Sequence, residues 1–319
     1  VSEGYDGVED LAGAIQDTGD EVYRLAQDRE APGLRPMSDA VSAFLDAMET
    51  HATSGDGIVG IRTGLPRLDA LVRGLKPRQF IVIAGRPGHG KSACMVQIAL
   101  HAATVEQKIV GMFSLEMGRE EMMLRFVSVS GQIDNQRILT HGLTEMDYTK
   151  VAGALNTISA APLYVDDSAV RTMFELRAKA RHLQTTVGLD MVMLDYIQLV
   201  PGDKVYRDNR NLQLAEISRS LKLLAKDLAI PVVALSQLSR DLEKRKNKVP
   251  VLSDLRDTGA LEQDADIVIF VYRESLYKQT EENRDVAMLK VAKVRNGPIG
   301  SVRLAWAGEQ TRFYESEAL

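Results

Sequence analysis

The sequence predicts an α/β fold: a mostly parallel central sheet with helices on both faces, antiparallel strands at one edge, and a short helical linker ahead of it. Three observations carry this expectation. From Ile61 onward, short apolar runs alternate with helical patterns, the signature of a parallel sheet built by crossover helices. After Asp266 the strands follow one another with no helix between them. Ahead of Ile61, "REAPGLRP" (29–36) and "ATSGDGIVG" (52–60) break the chain with proline and glycine, so a linker region is expected over 1–57 and one main domain over 58–319.

The elements follow in order. In the linker, "SDAVSAFLDAMETH" (38–51) sets Val41, Phe44, Leu45 and Met48 at i, i+3, i+4 and i+7, a short amphipathic helix. Its apolar stripe can pack on its own domain or on a neighbouring copy. Strands are expected at 80–84, 109–114, 163–166, 190–195 and 231–236, and helices near 91–105, 119–130, 145–159, 172–186 and 211–228. The runs "DIVIFVYR", "VAMLKVAKV", "SVRLAWA" and "TRFYE" then read as antiparallel additions at one sheet edge.

Composition narrows the function classes. With 319 residues, 45% of them hydrophobic, the chain can bury one large core or two modest ones, and one main domain is expected. Its longest apolar runs, such as "MVML" and "IPVVAL", fall far short of the roughly 18 residues of a membrane span. No span is expected, and no secretory signal opens the sequence. The single cysteine, Cys94, cannot form an internal disulfide, which suits a reducing cytoplasm, and it reads as a small buried apolar residue. Net charge is −5, but it is unevenly spread: residues 1–50 carry 12 acids against 3 arginines, whereas residues 201–250 hold 11 Lys/Arg and 6 Asp/Glu. A modest basic zone in an acidic protein is compatible with a polynucleotide groove.

The chemistry begins at "GRPGHGKSA" (85–93), where Gly85, Gly90, Lys91 and Ser92 stand in the spacing G-x-x-x-x-G-K-S between an apolar strand and a helix. Glycines let successive backbone N–H groups turn toward phosphate oxygens, lysine reaches the outer phosphates, and the serine hydroxyl holds magnesium. Gly85, Arg86, Pro87, Gly88, His89, Gly90, Lys91, Ser92 and Ala93 are therefore expected around the polyphosphate of ATP. His89 either touches phosphate or is a solvent-facing filler. Ligands of an open parallel sheet bind beyond the carboxyl ends of its strands. Glu116, in "FSLEM", leaves one strand and either activates a water in line with the terminal phosphate or merely starts the next helix. Asp195 closes "MVMLD", where a buried acid needs a cation, here Mg2+. Gln237, in "VVALSQ", supplies an uncharged amide able to sense the terminal phosphate.

"GRPGHGKS", "FSLEM", "MVMLDYIQLV", "NRNLQLAEISRSLKLLAKDLAIPVVALSQLSR", "SDLRDTGALEQDADIVIFVYR" and "KVRNGPIG" together closely resemble the motor domain of the bacterial replicative DNA helicases, the DnaB family. The match runs from about Ile61 to Phe313. The resemblance implies a RecA-like P-loop ATPase that forms homo-hexamers and moves 5′ to 3′ along single-stranded DNA. By it, Lys91 and Ser92 fall on the phosphate loop, Glu116 on the catalytic base, Asp195 on the Walker B acid and Gln237 on the phosphate sensor. Lys293 and Arg295 fall on the lysine and arginine finger that reach the adjacent subunit's site. "DLRDTGALEQ" falls on a central-channel loop, with Arg256, Asp257 and Gly259 near DNA phosphates, and "DKVYRDNRN" on a second, with Lys204, Arg207 and Arg210 as weaker candidates. Residues 1–55 resemble only the tail of the family's amino-terminal domain and its linker helix, which docks on the neighbouring subunit. A helicase loader and other replisome proteins are implied as partners, and primase contact through the amino-terminal collar is expected to be missing. Gly88 and His89 stand where the family usually has Ser and an aliphatic residue, and Asp257-Thr258 where it has Glu-Ser.

Overall fold

Every central strand of the computed structural model carries apolar residues on both of its faces, and this is what lets helices cover both sides of the sheet. The structure describes residues 57–140, 142–168, 172–202 and 209–316, together with 36–38, 40–42, 44, 45 and 48 of the linker; side chains of residues 256–258 lie outside the description. The chain divides into two units, Val1–Thr53 and Ser54–Leu319. In the first, the described residues 40–42, 44, 45 and 48 are helical, and Val41, Phe44, Leu45 and Met48 are all exposed.

The second unit begins with α1 (Pro66–Val72), β1 (Phe80–Gly85), α2 (Lys91–Thr104), β2 (Val110–Ser114), α3 (Arg119–Gly131), α4 (Asn135–Leu139) and α5 (Glu145–Ala160). It continues with β3 (Leu163–Asp166), α6 (Met173–Thr186), β4 (Met191–Asp195), α7 (Arg210–Asp227), β5 (Val232–Gln237) and α8 (Gly259–Asp264). β6 (Ile267–Tyr272), β7 (Val286–Val294), β8 (Gly300–Ala307) and β9 (Arg312–Tyr314) complete one sheet of order β3-β2-β4-β5-β1-β6-β7-β8-β9.

Alternation along β1 shows how the layers form. Ile81 and Ile83 join the core beneath α2, α3 and α5, while Phe80, Val82 and Ala84 join the opposite core beneath α6 and α7. The helix starts are chemically marked. Thr144 and Asp147 form a reciprocal capping box at α5, and the side chains of Thr172 and Asn209 accept N–H groups at the starts of α6 and α7.

One expectation needs correction. β6 is not an antiparallel addition: it pairs parallel to β1, Ile81 opposite Ile267, and only β7, β8 and β9 run antiparallel. The crossover that permits a parallel return is compact, made of 3-10 turns (Arg240–Lys244 and Leu252–Thr258) and the six-residue α8, and so carries no long helical pattern. Cys94 is fully buried, and burial pushes its thiol up to about 12, leaving it an inert core residue.

Candidate ATP site at the carboxyl ends of the strands

Strand register assembles the site. Parallel pairing sets Gly85 of β1 beside Gln237 of β5, and Ser114 of β2 beside Asp195 of β4. The loop after β1 turns through Gly88 (φ +78°) and Gly90 (φ +100°), a backbone region that side-chain-bearing residues avoid. A methyl on Gly90 would also lie 2.9 Å from the Phe313 ring. α2 then starts at Lys91, so its first N–H groups point into the loop.

A cavity of about 580 Å³ opens there, lined by Pro87, Gly88, Gly90, Lys91, Ser92 and Ala93 of the loop and helix, and by Glu116 and Gln237. Lys91 Nζ donates to the Arg86 carbonyl at 3.3 Å. Burial holds the Lys91 ammonium below its usual pKa, while the carboxylates of Asp195 and Glu116 pull it back up. Arg86 is a buried strut. Its Nε and NH2 donate to one Glu243 oxygen at 2.8 and 2.7 Å, and its NH1 to the Leu238 carbonyl at 2.9 Å.

Glu116 stands ahead of α3, whose N-cap is Gly118 and whose first-turn acids are Glu120 and Glu121. It is exposed to the cavity, and the turn that carries it is tied by Ser114 Oγ donating to the Met117 carbonyl at 2.7 Å. Asp195 is 1% exposed, and its pKa is pushed up to about 6 by burial, with Glu116 adding to the rise and the Ser92 hydroxyl and Lys91 opposing it. Its Oδ2 is buried with no hydrogen-bond partner. A buried, unpaired carboxylate oxygen beside a serine hydroxyl and an open polar cavity suits a hard cation that takes its remaining ligands from phosphate and water. No group of three or more His, Cys, Asp or Glu that could cage a metal occurs among the described residues. Gln237 is fixed through its backbone: its N–H donates to Gln198 Oε1 at 3.2 Å, and Gln198 Nε2 donates to Ser236 Oγ and the Gln237 carbonyl at 3.0 and 3.2 Å.

His89 departs from the filler role. It is 3% exposed, stacked at 5.8 Å on Tyr272 and lying 5.5 Å from Tyr277, and its Nδ1 accepts the Arg273 N–H at 3.0 Å. Burial, reinforced by the Lys91, Arg273 and Arg86 cations, drives its pKa down to about 4, so the ring is a neutral prop beneath the loop. It does not line the cavity.

The remaining expected site residues lie elsewhere. Arg295 donates through NH1 to Asp266 at 3.1 Å, and Lys293 Nζ bonds the Glu262 and Gln263 carbonyls at the end of α8 at 2.5 and 3.2 Å. Both sit beside the start of β6, where Lys293 is paired with Val268, at the opposite end of the strands from the phosphate loop. Gly259 opens α8, with open space where a side chain would project. Arg256 and Asp257 belong to the 3-10 segment before it, and their side chains lie outside the described residues, as do Lys204 and Arg207 altogether. Arg210 is engaged within its own chain, where its guanidinium donates to Gln213 Oε1 and to the Gln198 and Val200 carbonyls, at 2.6, 2.9 and 3.2 Å.

Several cavity residues escaped the sequence reading. Arg125, paired with Glu121 at 3.1 Å, was detectable only as an ordinary i,i+4 ion pair. Tyr196, Asn135, Trp306 and Thr311 also line the cavity. Trp306 packs on Phe313 at 4.7 Å with the Arg273 guanidinium 4.8 Å from its ring, contacts made only when β8 and β9 fold back over the loop.

Comparisons with known proteins agree on the kinship. A family model described as the DnaB-like helicase C terminal domain matches residues 60–315. The replicative DNA helicase DnaC of Bacillus subtilis is 40% identical over 313 residues, spanning 98% of this chain and 68% of that protein. DnaB of Geobacillus stearothermophilus is 36% identical over 317 residues, covering 99% and 70% respectively. Among solved structures, an ATPase domain superposes with a TM-score of 0.83 at 35% identity, covering 89% of this chain and all of that one. A DnaB-like replicative helicase described with its interactions with primase superposes with a TM-score of 0.80 at 34% identity, over 95% of this chain and 72% of its own.

Proposed function

The chain belongs to the family of DnaB-like helicase C-terminal domains, the ATP-dependent motors of replicative DNA helicases, and from that premise we propose a division of labour among its residues and its copies. Six copies form a ring in the cytoplasm, loaded by a partner protein onto single-stranded DNA and moving 5′ to 3′ along it within the replisome. Each ATP, with Mg2+, is split at a seam between two protomers.

Within one protomer, the loop N–H groups and Lys91 hold the polyphosphate, and Ser92 and Asp195 hold the cation. Bound there, magnesium would neutralise charge on the polyphosphate. Glu116 orients a water in line with the terminal phosphate and draws its proton, and Gln237 registers whether that phosphate is present. Arg295, with Lys293, comes from the neighbour.

Strand geometry is the observation that carries the shared site. The loop follows Gly85 at the end of β1, whereas Arg295 is bonded beside Phe80 and Asp266 at its start. At about 3.3 Å per residue, the five steps of β1 separate the two by roughly 16 Å, beyond the reach of one arginine side chain. Arg295 can therefore serve hydrolysis only in trans, on a neighbour's nucleotide, where neutralising transition-state charge is an effect of about 10³–10⁵ in rate in other nucleotide hydrolases. Completion of the site only where two protomers meet links hydrolysis to loosening of one interface at a time. Phosphate-directed contacts from Arg256, the Gly259 N–H and the 204–210 segment would track DNA of any sequence.

The test is ATP turnover with and without single-stranded DNA on a sample of known mass, together with unwinding of forks bearing only a 5′ or only a 3′ tail. A six-fold mass, strong DNA stimulation and preference for the 5′ tail are expected; turnover by a monomer, indifferent to DNA, would overturn the proposal.

A further inference from the structure

The run "EQDAD" ends in Asp266, a residue to which the proposed mechanism gives no role. Its side chain is 6% exposed, and all of its polar atoms are engaged. Oδ2 accepts the Phe80 N–H at 2.8 Å and the Lys222 ammonium. Its N–H donates to the Phe80 carbonyl at 2.8 Å, and its carbonyl accepts the Arg295 N–H at 2.8 Å. Oδ1 serves a different group, the Arg295 guanidinium, at 3.1 Å. Two roles are thereby separated on one carboxylate: one oxygen locks the start of β1 to α7, and the other faces the side chain that leaves the end of β7.

The second role is poorly explained by stability. Arg295 is 64% exposed, and an ion pair with one partner in water adds little to folding. Its effect is directional, because a planar guanidinium held at one nitrogen is restricted in where its remaining N–H groups can aim. We infer that Asp266 is a positioning residue for hydrolysis in the neighbouring protomer: it fixes the direction in which Arg295 is presented to that protomer's terminal phosphate. The inference rests on the reading of Arg295 as the group supplied in trans. Lys222 supports it from behind, since its ammonium also donates to the Arg78 carbonyl at 3.0 Å and cannot swing away with the carboxylate. Burial works against the charge on Asp266, but the bonds from Lys222, the Phe80 N–H and Arg295 outweigh it and hold the carboxylate below its usual pKa. An ionised acceptor is thus always present for Arg295 near neutrality. On the same strand Lys293 grips the last carbonyls of α8, so the support for Arg295 is continuous with the helix that Gly259 opens.

Asp266→Asn tests this in the assembled protein. The amide oxygen can replace Oδ2 toward Phe80 and Lys222, which turns the amide nitrogen toward Arg295, donor against donor. We expect kcat for ATP to fall about 10- to 100-fold, the cost of misplacing a transition-state group by roughly 1 Å, with KM changed less than about twofold. Arg295→Ala is measured beside it. Mixing Asp266→Asn protomers with Lys91→Ala protomers, which keep an intact Arg295, creates seams with a sound phosphate loop and a sound arginine, so turnover rises above the weighted sum of the two preparations. A lesion that merely damaged the fold of its own protomer would not be repaired in this way. Arg295→Ala rings that lose turnover while Asp266→Asn rings keep the parent kcat would overturn the role, as would an Asp266→Asn loss that mixing fails to restore when it does restore Arg295→Ala. Parent-like turnover in Arg295→Ala would instead remove the trans reading and the inference with it. Should the amide variant unfold, Asp266→Glu keeps the pairing with Lys222 and displaces the guanidinium; it predicts the same restorable loss, and a parent-like kcat overturns the role.

Discussion

Replacing His89 by asparagine separates the acid sensitivity of the phosphate loop from that of the rest of the protein. Asn Oδ1 can accept the Arg273 N–H now taken by His89 Nδ1, so the loop keeps its tie to the end of β6 while losing a titrating ring. In the folded chain the pKa of His89 lies at about 4, against 6.5 when exposed. Between those values the unfolded chain binds the proton and the folded chain does not, so stability falls as pH drops below 6.5 and the loss is complete near pH 4. From the two pKa values the loss at pH 5 relative to pH 8 is about 2 kcal/mol, and at most about 3 kcal/mol at lower pH. The variant forfeits its ring contacts with Tyr272 and Tyr277, about 1 kcal/mol, equally at every pH. Urea unfolding of both chains from pH 8 to 5, at matched concentration, therefore gives a parent advantage that shrinks and then reverses. Two stability curves that stay parallel across this range would refute the assignment of a buried, neutral His89.

Three further outcomes follow from the site. Glu116→Gln lowers kcat for ATP by about 10²–10⁴ while nucleotide affinity stays near the parent value; unchanged phosphate release would end the general-base assignment. Asp195→Asn removes the gain in nucleotide affinity that Mg2+ gives the parent, and the parent in EDTA should bind like the variant; an undiminished magnesium response would place the cation elsewhere. Gly90→Ala costs about 1–3 kcal/mol in urea unfolding, because it forces a side chain to φ +100° against Phe313, and it weakens nucleotide binding with it; a neutral effect on both would contradict the loop geometry.

What could be read in the sequence was what is local. The strand, loop and helix from Phe80 to Thr104 are contiguous, and the glycine spacing states its geometry. Strand ends were legible for the same reason, since an apolar run closed by Asp195 or Gln237 marks the chemical edge of the sheet. The parallel direction of β6 was not legible, because its crossover is made of 3-10 turns and a helix of six residues that read as a loop. His89 was misjudged because the tyrosines that bury it lie more than 180 positions further along the chain. Trp306 and Thr311 reach the cavity only through the return of β8 and β9, and Asp266 showed itself as the start of a strand rather than as the anchor of Arg295.

Whether two chains complete one site is tested most directly by coordinates of the assembled protein filled with a non-hydrolysable ATP analogue and Mg2+. The prediction is a guanidinium nitrogen of Arg295 from one protomer within about 3 Å of a terminal phosphate oxygen bound by Lys91 of the next. An Arg295 remote from every terminal phosphate in such an assembly would contradict it.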